Sequence, residues 1–459
     1  MKMRAFFFYL FVLTQLCSCV KYEKKDLIPI EIYKEIESIR SNPKVNIKEN
    51  LTFLKSSEIM SIQNPQLKTL KADYEIHQKI ADIQTPFPNP SIEIGPNLSS
   101  PFSNLSKSAV PFVAIGFTIP LGGKLKKNDS VNKAKALRAL VETQIQHRKL
   151  YFELRESFIS LITIDKKKQL QDEMISSASL MTKTLEHLRN AGGIDLLDIG
   201  IIELNSLQTK TNKFELECEY QEELAKFSIL LGVDNSFAEN IKTSELPIQK
   251  TIMPTYEEIK DIMVCNHFEL ATLRYDYEIA EKSLQLEISK QYPDITWGGS
   301  YEQELGDKSK VIGLRLGINV PIFDRNQQGI NRALKERDFV RSLYEQTVFQ
   351  ALALLKKNYN QLIVQIGKHQ YIQDVILKKA EQNFMIVEKN LKIGAIDIIK
   401  YLEVLRAYQE VLNSVLNSEA ELFKTWIKIE ETIGYPLLEF PNEEKFKLPL
   451  NSLDNEDAK

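Results

Sequence analysis

The stretch Lys71-Ala72-Asp73-Tyr74-Glu75-Ile76 returns as Arg274-Tyr275-Asp276-Tyr277-Glu278-Ile279, so the tetrapeptide Asp-Tyr-Glu-Ile occurs twice. Similarity at a constant separation, here about 200 residues, indicates an internal repeat. Further matching pairs follow in the same order: 90–92 with 293–295, 116–121 with 317–322, 192–197 with 394–399, and 231–232 with 433–434. The chain is therefore predicted to contain two copies of one unit, with helices, strands and turns repeated in order.

Each copy is predicted to contain one helix, two strands and then two helices of unequal length. The first helices are predicted at 62–84 and 255–290, and the strands at 91–98, 110–121, 294–305 and 310–323. In the last strand, residues 312 to 322 alternate between Ile, Leu or Val and Gly, Arg, Asn or Pro. This alternation predicts a strand with one uninterrupted apolar face.

After each second strand comes a long stretch that contains no proline and almost no glycine, at 124–189 and 326–391. At 1.5 Å per residue, a helix of this length would approach about 100 Å. Narrow apolar stripes in a charged background indicate coiled-coil packing against partner helices. The partners are predicted at 196–231 and 398–433, each beyond a glycine turn.

The N-terminus has the pattern of an export signal. Lys2 and Arg4 precede an apolar run at 5–16, which ends in Leu16-Cys17-Ser18-Cys19. The run is shorter than the roughly 20 residues that span a bilayer, so residues 1–18 are predicted to be a cleaved signal peptide. Cys19 is predicted to be lipidated and to anchor the mature chain to a membrane. A plain signal peptide and an uncleaved anchor are the alternatives.

The composition excludes several classes of function. The formal net charge of −3 indicates no nucleic-acid partner. The histidines are far apart and form no metal-binding motif, and no spacing identifies a nucleophile and base, a phosphate loop or a dinucleotide fingerprint. We therefore predict no enzyme activity, no cofactor and no tight metal site. The two remaining cysteines, Cys218 and Cys265, are predicted to be independent buried thiols, with a disulfide as the alternative.

The predicted strands are long enough to cross a membrane as tilted barrel strands. Four strands are too few to close a barrel, and lipid does not tolerate open sheet edges. Either the chain shares a barrel with copies of itself, or the strands form a soluble sheet whose apolar face is covered.

The order of these segments resembles the TolC family of outer-membrane efflux proteins. The resemblance rests on Pro88-Asn89-Pro90-Ser91-Ile92, on the strand exits at 119–123 and 320–326, and on the paired Gly-x-x-Asp turns, and it covers about 62–437. The Phe-Asp-Arg-Asn-Gln exit is similar to the heavy-metal-cation arm of the family.

The resemblance implies a mainly α fold with a small β part. Long antiparallel helical hairpins would form a periplasmic tunnel, and four strands per chain would contribute to a 12-stranded barrel in a homotrimer. It also implies an outer-membrane location in a diderm bacterium. The implied partners are a periplasmic adaptor and an inner-membrane pump, for instance of the resistance-nodulation-division type. A periplasmic adaptor or a non-channel coiled-coil lipoprotein is the alternative function.

In the family, the hairpin tips close the periplasmic aperture and contact the adaptor. The residues of this chain that match those positions are Gly192, Gly193, Asp195, Asp198, Gly394, Asp397, Lys400 and Glu403. Asp195 and Asp397 also have a structural interpretation as helix N-caps. Many family members have an acidic residue where this chain has Lys400. Asp198 and Lys400 either pair across neighbouring hairpins and hold the tip shut, or are solvated surface charges.

The predicted organisation is completed by the segments outside and between the repeats. Residues 19–61 are predicted to form a polar, lipid-anchored strap, 62–240 the first repeat, 241–254 a linker, 255–437 the second repeat and 438–459 a polar tail.

Overall fold

The structure is a computed structural model, and it describes residues 22–41, 51–98, 109–190, 196–239, 254–303, 310–393 and 395–438. The chain divides into two compact units, residues 1–46 and 47–459. In the first unit, helix α1 spans Pro29–Ser41 and buries none of its side chains. Glu31 in its first turn and Arg40 in its last turn complement the helix dipole.

The second unit contains the same order of elements twice. The first copy comprises α2 (Phe53–Gln63), α3 (Pro65–Asp82), β1 (Ser91–Leu98), β2 (Ala109–Ile119), α4 (Lys124–Asn190), α5 (Leu196–Leu231) and the one-turn α6 (Asn235–Ala238). The second comprises α7 (Tyr256–Asn266), α8 (Phe268–Ser289), β3 (Ile295–Gln303), β4 (Lys310–Ile318), α9 (Gln327–Tyr371), a π-helical segment (Ile372–Leu377), α10 (Lys378–Lys392) and α11 (Ile398–Ile433). The predicted return helices 196–231 and 398–433 are confirmed at both ends.

The helix predicted at 62–84 corresponds to α3 but is preceded by a further helix, α2, and the single helix predicted at 255–290 is wrong, because the structure has two helices there. In the first copy the break is at Asn64, whose Oδ1 accepts the Leu67 N–H at 3.0 Å. In the second copy it is at His267, whose Nδ1 accepts the Leu270 N–H at 3.3 Å. A side chain that accepts from the N3 amide starts a new helix, so each break is also an N-cap.

Helix α2 lies in a segment that was expected to be a polar strap. Its residues Phe53, Ile59 and Met60 are all buried, as is Leu51 just before it. The strap prediction is therefore wrong for residues 51–61. The physical reason is that the apolar residues of this segment fill the space against α4, where Phe53 packs edge-on against Tyr151 and Phe158.

The four strands form one antiparallel sheet in the order β1-β2-β3-β4. Strand β4 ends at Ile318 and not at residue 323 as predicted. Pro321 has no N–H to donate to a ladder, so the segment before it leaves the sheet. Phe323 is 93% exposed in the turn that follows.

The two long hairpins meet at both of their ends. The first is made of α4, a continuous helix of 67 residues, and α5, a helix of 36 residues. The second is made of α9, the π-helical segment and α10 on one side and the 36-residue α11 on the other. Phe158, Phe227 and Trp426 lie in the core at the end away from the hairpin turns.

Candidate functional site

Several of the predicted tip residues lie outside the described residues. These are Gly192, Gly193, Asp195 and Gly394. Asp198 lies in the first turn of α5, but its side chain is also outside the described part of the structure. The pairing of Asp198 with Lys400 therefore stays a prediction.

Asp397, Lys400 and Glu403 lie at the start of α11 and are exposed. Asp397 occupies the N-cap position, with φ −69° and ψ 147°, but its side chain makes no capping hydrogen bond. The predicted N-cap position of Asp397 is thus confirmed, but the predicted hydrogen bond from a backbone amide to its carboxylate is not formed. Ile398, Tyr401 and Leu402 point inward instead and are buried. Helical periodicity therefore directs the charged side chains of this turn to solvent.

The inward side chains form an apolar cluster that joins both hairpins near their turns. We call it the tip core. Its buried members are Leu185 of α4, Ile199 and Ile202 of α5, Val387 and Leu391 of α10, and Ile398, Tyr401 and Leu402 of α11. Burial and the neighbouring Glu388 carboxylate raise the pKa of Tyr401 to about 12. Because helices of both hairpins contribute, the two hairpin ends are packed as one unit.

The sheet has one apolar face that runs across all four strands. The register places Ile92, Ile115, Gly299 and Leu314 opposite one another in one row. The remaining rows of this face are Ile94, Val113, Tyr301 and Ile312, then Phe117, Trp297 and Leu316, then Ile119, Ile295 and Ile318. Most of these side chains are exposed, and Leu314 and Leu316 are 92% and 82% exposed. An apolar face of this size is unusual in contact with water and indicates a covering partner or lipid.

The opposite face of the sheet carries mainly small and polar residues, together with Phe112 and Val311. One row comprises Ser91, Gly116, Gly298 and Arg315, and another comprises Glu93, Ala114, Ser300 and Gly313. The Arg315 guanidinium lies 5.1 Å from the centroid of the Phe112 ring. Outer strands β1 and β4 have no further strand beside them within the described residues. Their free edges remain available for pairing.

Sequence reasoning missed two buried arginines on α4. The Arg148 Nη1 donates to the Gly434 carbonyl at 3.3 Å, and the Arg155 Nη2 donates to the Leu438 carbonyl at 2.6 Å. Arg155 also pairs with Glu430 at 3.4 Å, and both side chains are fully buried. Burial lowers the pKa of Arg148 to about 10. The seven-residue spacing places both arginines on one helix face, which was the available signal in the sequence.

The described residues include Cys218 and Cys265 and many potential metal ligands. Cys218 and Cys265 are free thiols there, but they are exposed and not buried as predicted, because they lie on the outer sides of α5 and α7. No group of three or more His, Cys, Asp or Glu side chains is close enough to hold a metal ion in the described ranges. Among the helices of those ranges, none is both long and apolar enough to cross a membrane. Cys19 lies outside them.

The amino-acid sequence is similar to a known protein family and to a known relative. Residues 261–435 match the family model of outer membrane efflux proteins. The chain is 23% identical over 322 residues to the cobalt-zinc-cadmium resistance protein CzcC of Cupriavidus metallidurans. That alignment covers 69% of this chain and 75% of CzcC.

Solved structures share the fold over almost the whole chain. The CmeC outer membrane channel of Campylobacter jejuni superposes with a TM-score of 0.68 at 13% identity, covering 95% of this chain and 93% of CmeC. The open state of the MtrE outer membrane channel of Neisseria gonorrhoeae superposes with a TM-score of 0.65 at 13% identity, covering 91% of this chain and 98% of MtrE. The similarity includes both copies of the repeat.

Proposed function

We propose that this chain, which is similar over residues 261–435 to the outer membrane efflux protein family, is the outer-membrane channel subunit of a tripartite efflux system. It would be a passive conduit that carries small molecules or metal cations from an inner-membrane pump and a periplasmic adaptor to the outside. Conduction requires no covalent chemistry, so the proposal includes no catalytic residue and no cofactor.

The observation that carries this proposal is the difference between the two faces of the sheet. Its apolar face is exposed on all four strands, and its other face carries mainly glycine, serine, threonine, alanine and a few charges, besides Phe112 and Val311. The strands contain 8 to 11 residues, close to the 9–11 of a tilted membrane strand. Apolar side chains facing lipid and small polar ones facing a water-filled lumen are the arrangement of a transmembrane barrel.

The free edges of β1 and β4 support a homotrimer. Unpaired strand edges are not stable in hydrocarbon, so β4 of one protomer would pair with β1 of the next. Three chains would give the 12-stranded barrel that the family resemblance implies, and their hairpins would form the periplasmic tunnel. Lipidation of Cys19 would add an anchor in the outer membrane.

The proposed assembly is tested on outer-membrane fractions and reconstituted protein. We expect a heat-modifiable trimer band on gels and stepwise conductance in planar bilayers. Leu314→Arg, on the apolar face, should abolish insertion, because a charge at mid-bilayer costs about 2–4 kcal/mol. The matched control is Arg315→Lys, one residue away on the polar face, which should still conduct. A monomer released without detergent would contradict the channel and would favour the alternative, an adaptor or non-channel coiled-coil lipoprotein.

The substrate proposal rests on the relative CzcC, named for cobalt, zinc and cadmium resistance. We expect a deletion strain to become sensitive to divalent metal ions before it becomes sensitive to drugs. Growth on a panel of metals and drugs tests this, with complementation by the intact gene as the control. Sensitivity to drugs alone would assign the channel to a drug pump, of the resistance-nodulation-division or another type.

At the tip we propose that Asp198 and Lys400 pair across neighbouring hairpins and hold the aperture shut. Lys400→Glu would then raise single-channel conductance, because like charges repel. Lys389→Glu is the matched control, since Lys389 is also an exposed lysine of the second hairpin. Equal conductance of wild type and Lys400→Glu would leave these residues as solvated surface charges.

A further inference from the structure

A cavity of about 170 Å³ lies between the two hairpins, next to the tip core and further from the hairpin turns. Helices of both hairpins line it, with Met181 from α4, Ile202 from α5, Phe384 from α10 and Tyr401, Leu402 and Tyr408 from α11. Its lining is mainly apolar. A molecule bound there would contact both hairpins at once.

One wall of this inter-hairpin cavity is aromatic. The rings of Phe384 and Tyr408 are stacked, with centroids 4.8 Å apart and planes 12° apart. The Tyr401 ring also packs against Phe384, with ring centroids 6.2 Å apart and ring planes inclined by 40°. The faces of such rings carry negative electrostatic potential and attract cations, most strongly where water is excluded.

The carboxylates near this wall reinforce that potential. Glu173 lines the cavity, and Glu381 lies one turn of α10 before Phe384. Burial, Glu381 and Glu173 together raise the pKa of Tyr408, which means that both carboxylates act on its hydroxyl. Within the described part of the chain neither glutamate is in an ion pair.

None of the described residues that line the cavity is basic. The Nε of Arg406 donates to Asn205 Oδ1 at 3.2 Å, and Asn205 forms part of the opposite wall. The aromatic wall therefore faces acidic groups, and its basic neighbour is held on the other side. This combination favours a positively charged guest over a neutral or negative one.

We propose that the inter-hairpin cavity binds a small aromatic organic cation, one ring carrying an ammonium group. The size matches, because an apolar cavity of about 150 Å³ accommodates benzene. The ring would occupy the space among Met181, Leu402 and the aromatic wall, and the ammonium would lie over Tyr408 and towards Glu173. The proposal concerns binding alone, so it stands or falls independently of conduction and of assembly.

Titration of the full-length protein in detergent with benzylammonium, followed by saturation-transfer NMR, tests the proposal. Protein-free micelles of the same detergent are the blank. We expect saturable binding that is at least about fivefold tighter than the binding of benzyl alcohol or benzenesulfonate, the typical gain from a partly desolvated cation–π contact. Equal binding of the three probes, or no saturable binding of the cation, would overturn the assignment.

Variants locate the site. Tyr408→Leu should weaken the cation about fivefold, and Tyr408→Phe, which keeps the ring, should retain binding. Glu173→Gln should weaken it about two- to fivefold. Glu186→Gln, on the same helix and exposed, is the matched control and should bind as wild type. An unchanged thermal unfolding temperature verifies that each variant is folded, and unchanged affinity in both Tyr408→Leu and Glu173→Gln would contradict this location.

Discussion

The return helices of the two copies, α5 and α11, end with the same backbone turn. Gly232 and Gly434 both adopt positive φ, at 73° and 69°. The N–H of the residue after each glycine donates to a carbonyl five residues back along the chain, from Val233 to Ser228 and from Tyr435 to Glu430. This is the Schellman motif, which needs a residue without a β-carbon at the left-handed position.

The buried side chains at the two turns differ. Ser228 makes local bonds only, to the Ala225 carbonyl and the Asn235 amide oxygen. Glu430 accepts the N–H groups of Leu437 and Leu438 and pairs with Arg155 from the other copy. The duplication has therefore kept the backbone geometry, while the buried polar groups have diverged to connect the second copy to the first.

The hairpins also differ along their length. Helix α4 is continuous, whereas the equivalent path in the second hairpin contains the π-helical segment Ile372–Leu377. The wider turn of a π-helix interrupts regular hydrogen bonding and often marks a functional position. Beside it, the buried His369 Nδ1 lies 2.9 Å from the Ser418 hydroxyl. The first hairpin is thus the more regular of the two.

The largest expected difference between the copies is at the turn itself. Glu430→Ala should lower the free energy of unfolding by about 3–5 kcal/mol, because Arg155 becomes a buried charge without its partner. Ser228→Ala, the equivalent change in the first copy, should cost only about 1 kcal/mol. Denaturant unfolding of the detergent-solubilised protein measures both, and equal losses would show that the two turns are not different in energy.

The next largest effect concerns the glycines of those turns. An alanine at either position adds about 1–2 kcal/mol of left-handed strain. A β-carbon at Gly434 would also lie 2.2 Å from the Asn266 carbonyl oxygen, against 2.8 Å from the Gln63 carbonyl oxygen at Gly232. Gly434→Ala should therefore lower the unfolding temperature more than Gly232→Ala.

Gly123→Ala measures the cost of left-handed backbone strain without a steric collision of the added β-carbon. Gly123 has φ 71°, and nothing lies within 4 Å of a β-carbon placed there. Its unfolding temperature should fall least of the three, and a fall as large as that of Gly434→Ala would refute the collision argument.

The two helix breaks, at Asn64 and at His267, also differ in the hydrogen bonds that the capping side chain makes. Asn64 caps α3 and also donates its Nδ2 to the Leu230 carbonyl at 2.8 Å. His267 caps α8 through one longer bond. Asn64→Ala should cost about 1–2 kcal/mol and His267→Ala about 0.5–1 kcal/mol. Unfolding in urea gives both values, and the reverse order would mean that the capping bonds do not set the loss.

The smallest expected effect is a pH dependence. Burial lowers the pKa of both His147 and His267. Because the folded-state pKa lies below the unfolded value near 6.5, the unfolded chain binds more protons on acidification, so stability is full above about pH 6.5 and is lost as pH falls through the folded pKa. Protonation would also remove the acceptor lone pair that His267 offers to Leu270.

The double variant His147→Gln, His267→Asn should have a smaller loss of unfolding temperature between pH 7 and pH 5 than wild type. The comparison with wild type removes the contribution of the carboxylates, which both proteins share. An identical pH profile would mean that neither histidine carries this part of the stability.

Sequence patterns predicted the strands and return helices well, and the helix breaks badly. Alternation in β4 and the glycines at 232 and 434 are local signals that remain visible without the rest of the chain. The break at His267 has neither proline nor glycine beside it, and histidine is an uncommon cap. The predicted helix start at residue 62 missed α2, whose burial depends on the facing surface of α4.

The candidate site was likewise predictable from the sequence only in part. The tip positions of Asp397, Lys400 and Glu403 at the start of α11 were predictable from the glycine turn and the helix register. The aromatic wall was not, because Phe384 is contributed by α10 and Tyr408 by the neighbouring α11. Tyr401 and Tyr408, seven residues apart on one helix face, were the available half of that signal.

The amino-acid sequence by itself determined the duplication, the order of its elements and the apolar face of each strand, since these depend on residues close to one another in the chain. Only the tertiary structure decided which charges are buried. Arg155 looks like any surface arginine in the sequence, and its partners Glu430 and Leu438 are more than half the chain away. A charged group is stabilised inside a protein only when its partner arrives there too, and folding alone brings those partners together.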